Sequence, residues 1–77
     1  MKVNINYQGI LAEKTGISSE SITESGGSAE VLETVIKRHP ALKELNFVVA
    51  VNGVISHGKT DIKGGDNVTL IPPAPGG

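Results

Sequence analysis

One stretch of this chain, Ser28 to His39, carries apolar residues at the three-to-four spacing of an amphipathic helix, and no other stretch of comparable length does. Leu32, Val35 and Ile36, with Ala29 behind them, form a single stripe. Ser28 is placed to cap the helix by accepting from an otherwise unpaired backbone N–H. Glu30 and Glu33 lie near the positive end of the helix dipole, and Lys37, Arg38 and His39 near the negative end. Glu33 can pair with Lys37 one turn on, and Pro40 stops the helix. A lone stripe must be buried against something. Sixteen of the apolar residues are Val or Ile, whose branched side chains favour pleated sheet. The chain therefore predicts an α+β architecture in which a sheet is covered on one face by a single helix.

The strands are legible in turn. Val3, Ile5 and Tyr7 alternate with Lys2, Asn4, Asn6 and Gln8, the period of a half-buried strand. Ile10 to Thr15 forms a helical turn closed by Gly16, and residues 17 to 24 read as a polar edge strand followed by a Ser25-Gly26-Gly27 loop. Phe47 to Val51 is a continuous apolar run, expected as a central strand covered on both faces. Asn52-Gly53 is a two-residue hairpin signal, with Val54 to Ser56 returning. After a turn at Gly64-Gly65-Asp66 comes a last strand, Asn67 to Ile71, ended by Pro72. Residues 1–71 are thus one domain and 72–77 a tail. At 77 residues such a domain buries only about 60% of its unfolded surface.

Composition removes several functions. With no cysteine there is no disulfide framework, thiolate nucleophile or zinc finger. A net charge of −1 argues against nucleic acid as a partner, since phosphate binding draws on a basic surface. The alternating N-terminus is no signal segment and no apolar run spans a bilayer, so no membrane partner is expected and the location is read as cytoplasmic. His39 and His57 stand without an organised carboxylate cluster or a clear orienting acid, so no metal site is assigned.

Gly53 to Thr60 fits the phosphate-loop pattern G-x-x-x-x-G-K-[ST] letter for letter. A true loop of this kind opens a helix whose positive end faces the nucleotide. Gly64 and Gly65 follow Thr60 too closely for one, so the match is read as a false positive, a hairpin and a turn with no nucleotide bound.

Folding does not explain Pro72-Pro73-Ala74-Pro75-Gly76-Gly77. Three prolines in four residues enforce extended geometry and block strand pairing, giving a reach of roughly 20 Å. Two glycines then end a thin stalk on an unhindered carboxylate. That carboxylate, with a pKa of about 3.3–3.7, is an anion at neutral pH and a poor electrophile. It must be activated, most simply by ATP to an acyl-adenylate, and nothing in this chain provides the machinery.

The ending resembles that of the MoaD/ThiS family of ubiquitin-like sulfur carriers, and within it the MoaD branch. The similar features are Ile71-Pro72-Pro73 with Gly76-Gly77, Val49-Ala50-Val51-Asn52-Gly53, the Gly65-Asp66 turn with Val68, and Ala12-Glu13-Lys14-Thr15-Gly16. The resemblance implies a β-grasp fold, a mixed five-stranded sheet with one main helix. It also implies a reaction. An E1-like adenylating enzyme uses ATP to activate Gly77, which becomes a thiocarboxylate. The tail (Pro72, Pro73, Ala74, Pro75 and Gly76) then enters the large subunit of molybdopterin synthase and donates sulfur to the pterin precursor. On this reading the carrier holds no tightly bound cofactor and has no active site of its own. Three alternatives stand beside it: a ThiS role with thiazole synthase in thiamin synthesis, a further relative that supplies sulfur to another pathway or conjugates to proteins through Gly77, and a non-catalytic β-grasp adaptor that binds through a sheet face carrying Val48 and Ala50.

Overall fold

A computed structural model of the chain describes residues 1–23 and 26–73. Its elements in order are β1 (Lys2–Tyr7), α1 (Ile10–Thr15), β2 (Ser19–Thr23), α2 (Ser28–Arg38), a 3-10 helix (Pro40–Glu44), β3 (Val48–Val51), β4 (Val54–Ile55) and β5 (Asn67–Ile71). The strands form one sheet in the order β2-β1-β5-β3-β4. β1 and β5 run parallel, registered Ile5 to Val68 and Tyr7 to Leu70, and every other pairing is antiparallel. This is the expected mixed sheet, with the last strand at its centre.

Alternation places Val3, Ile5 and Tyr7 of β1 on the helix side, where they are buried with Val68 and Leu70 of β5 and Ile22 of β2. Leu11 of α1, Val31 and Val35 of α2, Leu42 and Ile62 complete the core. The helical stripe differs from the sequence reading. It centres on Val31 and Val35, with Leu32 and Ile36 half-buried and Ala29 exposed. Both stripes satisfy the same periodicity. The crossing of α2 over the sheet selects the one with more apolar area. The expected Glu33–Lys37 pair is not formed.

The start of α2 also differs. Gly27 is the capping residue and Ser28 the first helical one, buried at 4% exposure. A Cβ on Gly27 would lie 2.9 Å from the Thr60 carbonyl oxygen, so only glycine fits. The Gly27 N–H donates to the Glu30 carboxylate at 2.9 Å, while the Ser28 hydroxyl accepts from the Thr60 N–H at 2.9 Å. Ser28 therefore ties a distant loop to the helix instead of capping it.

Pro40 ends α2 as expected but opens the 3-10 helix, which the sequence reading lacked. Its Leu42 reaches the core at 1% exposure. β3 lies between β5 and the edge strand β4, not at the centre, and packs against the core through Val49 and Val51 on one face. Val49 and Val51 pair with Leu70 and Val68 on the helix side. The polar strand expected over 17–24 is Ser19–Thr23 at the opposite edge; the upper end of that range, with Ser25 of the loop, lies outside the described residues. No helix among the described residues is long and apolar enough to cross a membrane.

Candidate functional site

Pairing fixes which side chains occupy the sheet face opposite α2. Val48 pairs with Ile71, and Ala50 with Thr69 and Ile55, so these five share the open face. Directly opposed residues bring their Cβ atoms within about 5 Å of one another, enough to make the group continuous. Val48 and Ile71 are half-buried, Ile55 is 41% exposed and Ala50 nearly inaccessible. On β1 and β2 the same face carries Asn4, Asn6, Ser19, Ser21 and Thr23, with the Ser21 hydroxyl donating to the Asn4 amide oxygen at 3.1 Å. The open face is thus apolar towards β3, β4 and the end of β5, and polar towards β2. Val48 and Ala50 lie where the sequence placed them. Ile55 and Ile71 were not singled out there. The two-residue Asn52-Gly53 turn, with φ of 51° and 84°, already implies the Ala50–Ile55 pair by register.

The apolar half adjoins the exit of β5. Ile71 is the last strand residue, Pro72 is half-buried and Pro73 exposed. Ala74, Pro75, Gly76 and Gly77 lie outside the described residues.

The segment that mimics a phosphate loop has other work. Gly53 sits in the hairpin turn at positive φ, and among the described residues no helix follows Thr60. The Ser56 and Thr60 hydroxyls bond each other at 2.5 Å, and Ser28 donates to the Gly58 carbonyl at 3.4 Å. The Ser28 N–H donates to the Thr60 carbonyl at 2.8 Å, and Gly27 bridges to Asp61. The Gly58 and Thr60 carbonyls and the Thr60 N–H thus fasten the loop to Ser28 at the start of α2, while the motif's hydroxyls bond within the loop.

At the other end of α2, His39 has an orienting acid that the sequence did not reveal. Glu20 of β2 accepts from His39 Nε2 at 2.6 Å, from the Tyr7 hydroxyl at 2.5 Å and from Arg38 Nη1 at 2.8 Å. The Tyr7 and His39 rings meet edge to face at 5.6 Å between centroids. Nineteen residues separate Glu20 from His39, so only the packing of α2 across the sheet joins them. The cluster lies on the helix side of the sheet and reads as a structural pin. Among the described residues no group of three or more His, Cys, Asp or Glu could hold a metal.

The family model described as ThiS family matches residues 5–77. The chain belongs to the ThiS family. A Pyrococcus furiosus protein described as molybdopterin converting factor, subunit 1, is 27% identical, with a TM-score of 0.87 over 96% of this chain and 99% of its own. The complex of subunits 1 and 2 of the molybdopterin-converting factor from Helicobacter pylori contains a chain 25% identical, with a TM-score of 0.75 and complete coverage of both chains. SAMP1 from Haloferax volcanii shares the fold at 22% identity, with a TM-score of 0.86 over the whole of both chains. No curated protein sequence gives a significant match. The expected ubiquitin-like β-grasp fold is therefore the fold of this protein, and the expected ubiquitin-like sulfur carrier family of the ThiS/MoaD kind is its family.

Proposed function

We propose that this ThiS-family protein is the sulfur-donating small subunit of a molybdopterin synthase. The observation that carries the reading is the likeness to the Pyrococcus furiosus molybdopterin converting factor subunit over nearly the full length of both chains. The Helicobacter pylori relative, seen in complex with a second subunit, supports a large partner subunit for this chain as well.

The chemistry follows from the tail. An E1-like enzyme in the cytoplasm joins the Gly77 carboxylate to the adenylyl group of ATP, releasing pyrophosphate. A sulfur donor then displaces AMP and leaves a thiocarboxylate. Gly76, with no side chain, lets the reacting end enter a narrow partner site, and Pro72, Pro73, Ala74 and Pro75 hold it away from the domain. The apolar half of the open face, next to the exit of β5, is the docking surface. Its side chains lose water on association, while the partner supplies the catalytic groups.

Intact-mass measurement tests this directly. Incubation with an E1-like enzyme, ATP and a sulfur source replaces one terminal oxygen by sulfur, and the loaded carrier then converts the pterin precursor only with a molybdopterin synthase large subunit. Deletion of Gly77 abolishes the mass change and leaves the circular dichroism spectrum intact. Loading followed by transfer to thiazole synthase alone would assign the thiamin role instead. An unchanged mass with every E1-like enzyme of the source organism would leave a non-catalytic adaptor.

A further inference from the structure

β1 ends at Tyr7, and the chain turns through Gln8 and Gly9 into α1. β5 leaves the sheet at the same end. Because the two strands are parallel, their exits run side by side, and the Gln8 N–H donates to the Leu70 carbonyl at 3.1 Å. Two separate features of Gly9 meet there. Its backbone has φ 55° and ψ −131°, a combination that side-chain-bearing residues rarely adopt. A Cβ on Gly9 would also lie 3.1 Å from Cγ and 3.9 Å from Cδ of Pro72. Positive φ alone would only make Gly9 a turn glycine. Gly16, at φ 80°, is one, and a Cβ there would meet nothing within 4 Å. At Gly9 the missing side chain is filled by the first residue of the tail.

We propose that Gly9 is a positioning residue for the tail, forming with the end of β1 the seat on which the Pro72 ring rests. The proposal rests on the sulfur-carrier reading and adds to it the device that aims the stalk. The Pro72 ring is closed and its φ fixed, so it cannot swing away from a methyl group at position 9 as a long side chain would. A Cβ there displaces the ring, and with it the direction in which the chain leaves β5. Aim at the root matters because the reaction takes place at the far end. A misplacement of about 1 Å at reacting atoms can cost about a hundredfold in rate.

The test is steady-state adenylation of the full chain by the source organism's E1-like enzymes, followed as ATP–pyrophosphate exchange. The variants are Gly9→Ala, Pro72→Ala, the double variant and Gly16→Ala. Gly9→Ala and Pro72→Ala each lower kcat by about tenfold or more while KM for the carrier stays within about twofold, because docking through the open face is untouched. The double variant is no worse than the slower single, since both remove the same seat. Gly16→Ala, also at positive φ but in the milder left-handed region and with nothing near its Cβ, lowers the melting temperature and leaves kcat and KM at wild-type values. Wild-type kcat in folded Gly9→Ala, or losses that multiply in the double variant, overturns the proposal. Should Gly9→Ala fail to fold, Pro72→Ala decides alone, and a wild-type kcat there overturns it. A wild-type chain that no E1-like enzyme adenylates refutes the sulfur-carrier reading itself, and this proposal falls with it.

Discussion

At Glu20 three donors converge on one carboxylate, from Tyr7 of β1, Arg38 at the end of α2 and His39 just after it. Burial acts to raise its pKa, but hydrogen bonds from Tyr7, His39 and Arg38 together outweigh it and hold the group below the usual glutamate range. Burial first, then its bond to Glu20, pushes the Tyr7 phenol well above its ordinary range. A folded-state pKa below the unfolded one means that Glu20 contributes stability above the ordinary carboxylate range. That contribution is lost as pH falls through and below about 4.3. Thermal melts from pH 7 to pH 3 should show an acid loss of melting temperature that Glu20→Gln flattens. Tyr7→Phe removes a donor to a charged acceptor and should cost about 1–2 kcal/mol at pH 7, read by urea denaturation. Gly27 is a residue-scale constraint of another kind. Its backbone is ordinary at φ −110°, but the Thr60 carbonyl occupies the space of a Cβ. Gly27→Ala should destabilise by about 1–3 kcal/mol in the same assay, because backbone cannot step aside as a side-chain tip can.

The elements were unequally legible in the sequence. α2, β1, β5 and the Asn52-Gly53 hairpin follow from periodicity and turn chemistry, which are local properties of the chain. The buried face of α2 does not, because Ala29 and Val31 both lie within reach of a stripe through Val35, and only the crossing over the sheet chooses. The 3-10 helix was hidden because Pro40 does two things at once, ending one helix and opening another, and the sequence reading used only the first. Leu42 measures what that omission concealed. It is 1% exposed, so Leu42→Ala should cost about 2–5 kcal/mol by chemical denaturation. That is a large share of the roughly 5–15 kcal/mol that holds a domain folded. His39 shows the same limit: its acid, Glu20, lies on an edge strand, and no spacing in the sequence links the two.

At the scale of the whole molecule, one face of the sheet packs beneath α2 and the other is left open. The second divides into a polar half on β1 and β2 and an apolar half on β3, β4 and β5, and the tail leaves beside the apolar half. Ile55→Asp places a charge in that half at a site already 41% exposed, so its melting temperature should shift little; on the proposed function, affinity for a molybdopterin synthase large subunit falls by about tenfold or more, read by calorimetry. The sequence by itself determined the α+β class, the strands and the main helix, and the composition of the tail, since alternation, helical spacing and proline all act within a few residues. The tertiary structure alone decided which stripe of α2 is buried, that Glu20 meets His39, that the Gly53–Thr60 loop fastens the start of α2, and that Gly9 lies under Pro72. Each of those joins residues far apart in the chain. Their contact exists only because the parallel pairing of the first and last strands and the crossing of α2 bring them together.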